Sequence, residues 1–197
     1  SRSARAAVRI AVDLANDGII PREEALLRVE PRALNELLHR QIDPHARRDR
    51  IATGVAASPG AATGRIVFTS SEAQASAARA EPCVLVRRET SPEDIRGMHV
   101  AVAVLTERGG MTSHAAVIGR GMGLPCVVGA SSLVFNLQKK TLTSSDGRVF
   151  KEGDTITVDG TSGDVLVGEP AMLEATHDDA FLELMDWSDA VRDIGVR

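Results

Sequence analysis

Tyrosine is absent from the chain, tryptophan occurs once and phenylalanine four times in 197 residues, so there is almost no surface on which a nucleic-acid base could stack. Positive charge clusters only at Arg47-Arg48 and Arg50, and the formal net charge is −4. A nucleic-acid binder needs stacking faces or a basic track; lacking both, the chain is placed outside that class. Cysteine is nearly as scarce. Cys83 and Cys126 each sit inside an apolar run and make no CxxC pair, which reads as two buried thiols in a reducing compartment, with neither redox nor metal chemistry expected of them. No apolar run approaches the roughly 20 residues of a membrane span. No charged stretch leads into a long apolar one at the start, so neither a span nor a signal peptide is expected and the cytoplasm is the expected location. The Gly-x-x-x-x-Gly-Lys-Ser/Thr phosphate loop is also missing.

What is present suffices for a core: 43% of residues are hydrophobic. Three textures succeed one another. Residues 1–50 read as amphipathic helices, with Gly18 as a stop, a second helix over Arg22 to Val29, and Leu34, Leu37 and Leu38 spaced along a third. So few large apolar groups cannot build a core alone, and this part must lean on another. Residues 51–170 are β-rich, with short apolar runs at Arg65–Phe68, Cys83–Val86, Val100–Leu105, Leu124–Val128, Thr155–Val158 and Val165–Val167. Between them lie turn pairs such as Asp146-Gly147 and Asp159-Gly160, which read as turns and not as metal sites. A helix is expected over Ser71 to Arg79, and Thr90-Ser91-Pro92 starts another. Residues 171–197 turn helical again, with Met172, Leu173, Phe181, Leu182, Leu184, Met185 and Trp187 as expected buried positions. Arg47–Gly54 and Gly168-Glu169-Pro170, rich in charge and glycine, are the expected hinges of the middle domain.

Most of the usable chemistry lies in Val104–Gly129, VLTERGGMTSHAAVIGRGMGLPCVVG. The spacing predicts a strand, a loop carrying Gly109 and Gly110, a short helix opened by Thr112-Ser113 with His114 in its first turn and stopped by Gly121 and Gly123, then a second strand in a crossover unit. The first N–H groups of a helix lack internal partners and carry the positive end of its dipole, so an anion is welcome there. Gly109 and Gly110 let backbone approach a bulky oxyanion, and the hydroxyls of Thr112 and Ser113 can donate to it. A neutral imidazole is a competent nucleophile toward phosphorus. The residues alone leave a second reading open, in which His114 is a helix cap or a satisfied buried histidine and Thr112 a simple N-cap.

The run ERGGMTSHAAVIGRGMGLPCVVG resembles the phosphohistidine signature of the pyruvate phosphate dikinase family, over more than twenty consecutive positions. GIIPREEALLRVEP, ASPGAATGRIVF, RRETSPEDIRGMHVA, GDTITVDGTSGDVLVG and DAVRDIGVR also resemble that family, so the resemblance covers nearly the whole chain. Two departures stand out: Gly119, where the family usually has Ala, and Leu124, where Lys is common. A Gly in so short a helix costs roughly 1 kcal/mol relative to Ala.

The resemblance implies an α/β fold, a swivelling β/β/α phosphohistidine domain over 51–170. It implies a tail of the nucleotide-binding region over 1–50 and a linker toward a phosphoenolpyruvate- and pyruvate-binding barrel over 171–197. It implies that His114 is the phosphorylated residue and that Gly109, Gly110, Thr112 and Ser113 surround the phosphate. Thr112 matches a regulatory phosphorylation site of some members. The partners implied are the nucleotide-binding and barrel domains of the same polypeptide, in a homodimeric full enzyme whose magnesium sits on those other domains; no cofactor is expected on this chain. A phosphoenolpyruvate synthase-like carrier and a non-catalytic interaction domain of the same fold are the alternatives. Arg87, Arg88, Glu89 and Thr90 read as a solvated loop, with proximity to the site as the other possibility.

Overall fold

The strand Cys83–Arg87 shows why the middle of the chain folds as it does: Val84 and Val86 face one apolar core, Cys83 and Leu85 the other. Period-2 alternation with apolar residues on both faces demands cover on both sides of a sheet. The structure, a computed structural model, describes residues 4–30, 34, 37–175 and 179–195. Two compact units divide the chain, residues 41–173 and a second unit drawn from both ends, up to Arg40 and from Glu174.

In the larger unit the strands are β1 (Gln41–Ile42), β2 (Arg50–Thr53), β3 (Val55–Ser58), β4 (Ala61–Val67), β5 (Cys83–Arg87), β6 (Ala103–Thr106), β7 (Cys126–Val128), β8 (Val134–Asn136), β9 (Thr141–Thr143), β10 (Val149–Lys151), β11 (Thr155–Asp159), β12 (Asp164–Val167) and β13 (Met172–Leu173). One sheet runs β2-β12-β11-β4-β5-β6-β7-β3. Its centre, β4 through β7, is parallel, and the flanking pairs are antiparallel. A smaller antiparallel sheet, β10-β9-β8, covers one face, and Phe135, Leu142 and Phe150 from it close a core with Ile66, Val84, Leu105, Val127, Ile156 and Val165.

Helices cover the other face: Ser70–Ala78, Ile95–Val100 after a 3-10 turn at Pro92–Asp94, and His114–Met122. Ala73, Met98, Ala115 and Ala116 meet Val67, Leu85, Val104 and Val128 there. The first of these helices opens on a reciprocal cap, Thr69 accepting from the Glu72 N–H while the Glu72 carboxylate accepts from Phe68 N–H. This is the β/β/α layering expected of the domain.

The sheet's edge strands β2 and β3 are separated in sequence by Gly54 alone. The sheet therefore curls until its two edges meet at that residue, whose N–H bonds Gly163 O at 2.8 Å. A side chain there would strike Val128 O at 2.6 Å. The expected hinge at Arg47–Gly54 is thus overturned: Ile51 and Ala52 are buried in the core and β2 is laddered to β12. The compact unit starts at residue 41 instead of 51, because β1 pairs with β13 and Ile42 packs on Ala61 and Leu166. Val100 ends a helix, so the strand expected from it begins at Ala103. Likewise Met172–Leu173 is a strand, and the last helix begins at Asp179.

In the other unit, Ala4–Asn16, Arg22–Arg28 and Asp179–Gly195 pack Val8, Val12, Ala25, Phe181, Leu184 and Trp187 together. The Arg22 guanidinium lies 5.1 Å from the Trp187 ring centre, a cation–π contact. The N-terminal helices thus lean on the C-terminal one. Leu173 and Leu182, expected to be buried, are each 49% exposed; Leu182 lies beside Phe181 on the helix and turns off its packed face. No helix among the described residues is long and apolar enough to cross a membrane.

Candidate active site

Parallel strands β5 and β6 end side by side, Arg87 opposite Thr106. Their ladder runs on into the loops, Glu107 N–H bonding Arg87 O at 3.2 Å and Arg108 N–H bonding Arg88 O at 2.9 Å. Two loops therefore leave together from the carboxyl ends of adjacent parallel strands, the place where α/β sheets present ligands. One carries Thr90, the other leads to His114, the first residue of helix His114–Met122.

Thr90 Oγ1 lies 2.8 Å from His114 Nδ1. Thr90 is buried and His114 half-buried, so the solvated-loop reading of residues 87–90 is corrected for Thr90. Sequence alone offers no sign of this pairing, because it depends on the register of two parallel strands. Engagement of Nδ1 leaves Nε2 as the available ring nitrogen. His114 opens its helix, and the first backbone N–H groups of a helix have no intrahelical acceptors.

The other expected site residues divide by role. Ser113 is the N-cap: its oxygen accepts from Ala116 N–H at 3.4 Å and its proton goes to Gly110 O at 2.7 Å. The hydroxyl expected to donate to phosphate thus serves the loop. Thr112, not being the cap, is left exposed two residues before His114. Gly109 adopts φ +107°, and a Cβ there would fall 2.8 Å from that of Ser113; a side chain is excluded twice over. Gly110 has open space around it. Arg120, which in the sequence is only one letter of a motif, clamps the loop, donating to Met111 O at 2.6 Å and Ala57 O at 3.3 Å. His45 and His99 are exposed, His39 is half-buried, and His177 lies outside the described residues. Burial pushes the Cys126 thiol up to about 12, so it is a packing group.

Two glycines of the helix behave differently. Gly119 presses on β7: a Cβ there would sit 3.1 Å from Cys126 Cβ, closer than side chains ordinarily pack. Gly121 is exposed, with an ordinary helical backbone and nothing within 4 Å of the place a methyl group would take. Gly121→Ala should therefore raise stability by about 0.5–1 kcal/mol, read as a higher urea midpoint at unchanged slope; an unchanged or lower midpoint would contradict it.

Compared with known proteins, residues 79–163 match the family described as "PEP-utilising enzyme, mobile domain". In that stretch the chain is similar to the mobile domain of the PEP-utilising enzymes. Its similarity extends past the mobile domain to whole-chain matches. A pyruvate, phosphate dikinase of Rhizobium meliloti (strain 1021) is 53% identical over 100% of the chain, and that of Clostridium symbiosum is 46% identical over 100%. The chloroplastic dikinase of Flaveria pringlei is 45% identical over 99% of the chain. The chain spans 22%, 22% and 20% of these three relatives, so the relatives hold further domains in the same polypeptide. The solution structure of the Enzyme I protein nEIt aligns with 58% of the chain and 38% of its own, at 26% identity and a TM-score of 0.33, too slight a likeness to add to the fold described above.

Proposed function

We propose that this PEP-utilising mobile domain is the phosphohistidine carrier of a pyruvate phosphate dikinase, with His114 as the carrier residue. The observation that carries the reading is the His114 ring, held at Nδ1 by Thr90 with Nε2 left at a helix N-terminus. In the proposed cycle a nucleotide-binding domain passes the pyrophosphoryl end of ATP to Nε2 and AMP leaves; inorganic phosphate then takes the outer phosphoryl group away as pyrophosphate, so that one phosphoryl group stays on Nε2. A second domain then moves that group from Nε2 to pyruvate, forming phosphoenolpyruvate. The cycle is reversible, and the whole-chain similarity to named dikinases supports it over a synthase.

A lone pair on Nε2 attacks phosphorus while the ring proton stays on Nδ1, facing Thr90. Nothing has to be removed from the attacking nitrogen, and the ring's positive charge is offset by the phosphoryl oxygens. The N–H groups that open the helix at His114 favour that anion. Magnesium is assigned to the other domains, in a homodimeric, cytoplasmic full protein. Residues 41–173 move as one body between the two sites, and distance labels on this unit and on each partner domain should report two separate populations.

The test uses ATP labelled at its β-phosphorus, with inorganic phosphate and the donor domain present. Acid-labile, base-stable label on His114, with pyrophosphate as product, is expected. Free phosphate as product would turn the assignment to the synthase reaction, and no label would leave an interaction domain. Thr112 is proposed as the control point. A charged group two residues from His114 repels the incoming phosphoryl, so Thr112→Glu should slow labelling at least about tenfold while Thr112→Ser should not. Equal rates in all three would remove Thr112 from control.

A further inference from the structure

Thr90 is held in place by a buried carboxylate that the carrier reading leaves unused. Asp94 is 4% exposed, on the 3-10 turn that follows the Thr90 loop. Its Oδ2 accepts from the Ser91 N–H at 2.9 Å, the peptide group directly after Thr90. Its Oδ1 faces Arg87 Nε at 3.5 Å. Arg87 in turn donates to Phe68 O at 2.9 Å, which ties the brace to the end of β4. Asp94 and Arg87 thus grip the loop on both sides of Arg88–Ser91. A carboxylate this deeply placed needs a partner and hydrogen bonds, and here all of them converge on the segment that presents Thr90 to the histidine.

We infer that Asp94, braced by Arg87, is a positioning residue for His114: it fixes Thr90 Oγ1 as the acceptor of the Nδ1 proton, and so holds the ring in the tautomer whose lone pair is on Nε2. The inference rests on the carrier reading for its consequence but not for its geometry. Thr90 can either accept from Nδ1–H or donate to a bare Nδ1. The second arrangement moves the proton to Nε2 and removes the nucleophile. Which one prevails depends on where the hydroxyl proton points, which follows the orientation of the Thr90–Ser91 peptide, and that orientation is what the Ser91 N–H bond to Asp94 controls. An oriented partner on the second ring nitrogen is how proteins select a histidine tautomer.

The experiment uses the full chain and a donor that needs no partner domain. Phosphoramidate transfers its phosphoryl group to imidazole: the P–N bond breaks, ammonia leaves with the bonding pair, and the Nε2–P bond forms. Asp94→Ala, Thr90→Val and the double variant are compared with the wild type, with Asp94→Asn as the variant that keeps an oxygen for Ser91 N–H. Each single loss should slow His114 labelling about tenfold or more, the range seen when groups orienting a histidine are removed. Because Asp94 acts through Thr90, Asp94→Ala should add nothing further in the Thr90→Val background, although it lowers the melting temperature in both. Ring ¹⁵N shifts of His114 should report Nδ1–H in the wild type and the other tautomer in Asp94→Ala.

A wild-type rate in Asp94→Ala, an unchanged tautomer, or an equal further loss in the Thr90→Val background would overturn the inference. Should Asp94→Ala fail to fold, Asp94→Asn decides: it keeps the bond from Ser91 N–H, so Nδ1–H and labelling are expected to persist, and the other tautomer in this folded variant would overturn the inference. If the wild type takes no label while the tautomer follows Asp94, the carrier reading fails and the brace stands.

Discussion

His114→Asn will take up no acid-labile phosphate, a loss of at least about 1,000-fold, as expected when a nucleophile is removed. The amide of Asn can still reach toward Thr90, so the loop is kept, but its nitrogen lone pair is delocalised into the carbonyl and does not attack phosphorus. The fold should hardly notice, because what the half-buried ring gives up is its hydrogen bond with Thr90, about 1 kcal/mol. Substitutions of His39, His45, His99 and His177 should leave labelling intact. The measurement is peptide mapping of the label under alkaline conditions. Label on any other histidine, or persistence in His114→Asn, would remove His114 from the mechanism.

Gly160→Ala should have the largest effect on folding, and it has nothing to do with the site. A Cβ at Gly160 would lie 1.8 Å from Ser58 O and 2.9 Å from Cys126 N. Both are backbone atoms of paired strands, Ser58 opposite Cys126 in the β3–β7 ladder, and Gly160 N–H is itself bonded to Gly60 O at 2.8 Å. No flexible side chain can give way. Overpacking that a core can absorb costs about 1–3 kcal/mol; here a strand must move by more than an ångström, so a cost of about 4 kcal/mol or more is expected. That is a large share of the roughly 5–15 kcal/mol of a typical domain, and it should show as insoluble expression or a greatly lowered urea midpoint. A variant within about 1 kcal/mol of wild type would refute the crowding, and Gly121→Ala supplies the opposite sign in the same protein.

The sequence made parts of this legible for local reasons. Alternation in Cys83–Arg87 and Ala103–Thr106 announces strands covered on both faces, and Gly109-Gly110 followed by Thr112-Ser113-His114 announces a helix start able to receive an anion. What stayed hidden depends on partners far along the chain. Arg50–Thr53 and Val55–Ser58 carry too few large apolar residues to declare themselves strands; they exist because β12 and β7 offer edges. Ser113 and Thr112 are equally good caps by type, and only the loop's geometry selects Ser113. Thr90 meets His114 across 24 positions of sequence, and the carboxylate of Asp94, which sequence presents as a helix-start charge, is turned to Ser91 and Arg87.

The pairing of Gln41 with Leu173 and Ile42 with Met172 gives residues 41–173 the ends of a cassette. Registered partners in an antiparallel pair stand about 5 Å apart, so the chain enters and leaves this body at one point, as through a single doorway. Such a body can be lifted whole into a tight turn of an unrelated host without unthreading any strand. It can equally be closed on itself, with a few residues joining 41 to 173, and reopened at the exposed Asp146-Gly147 turn, where new termini are best tolerated. A permuted chain of that kind would still place Thr90 against His114, since neither the joint nor the cut touches β5, β6 or the loops that follow them.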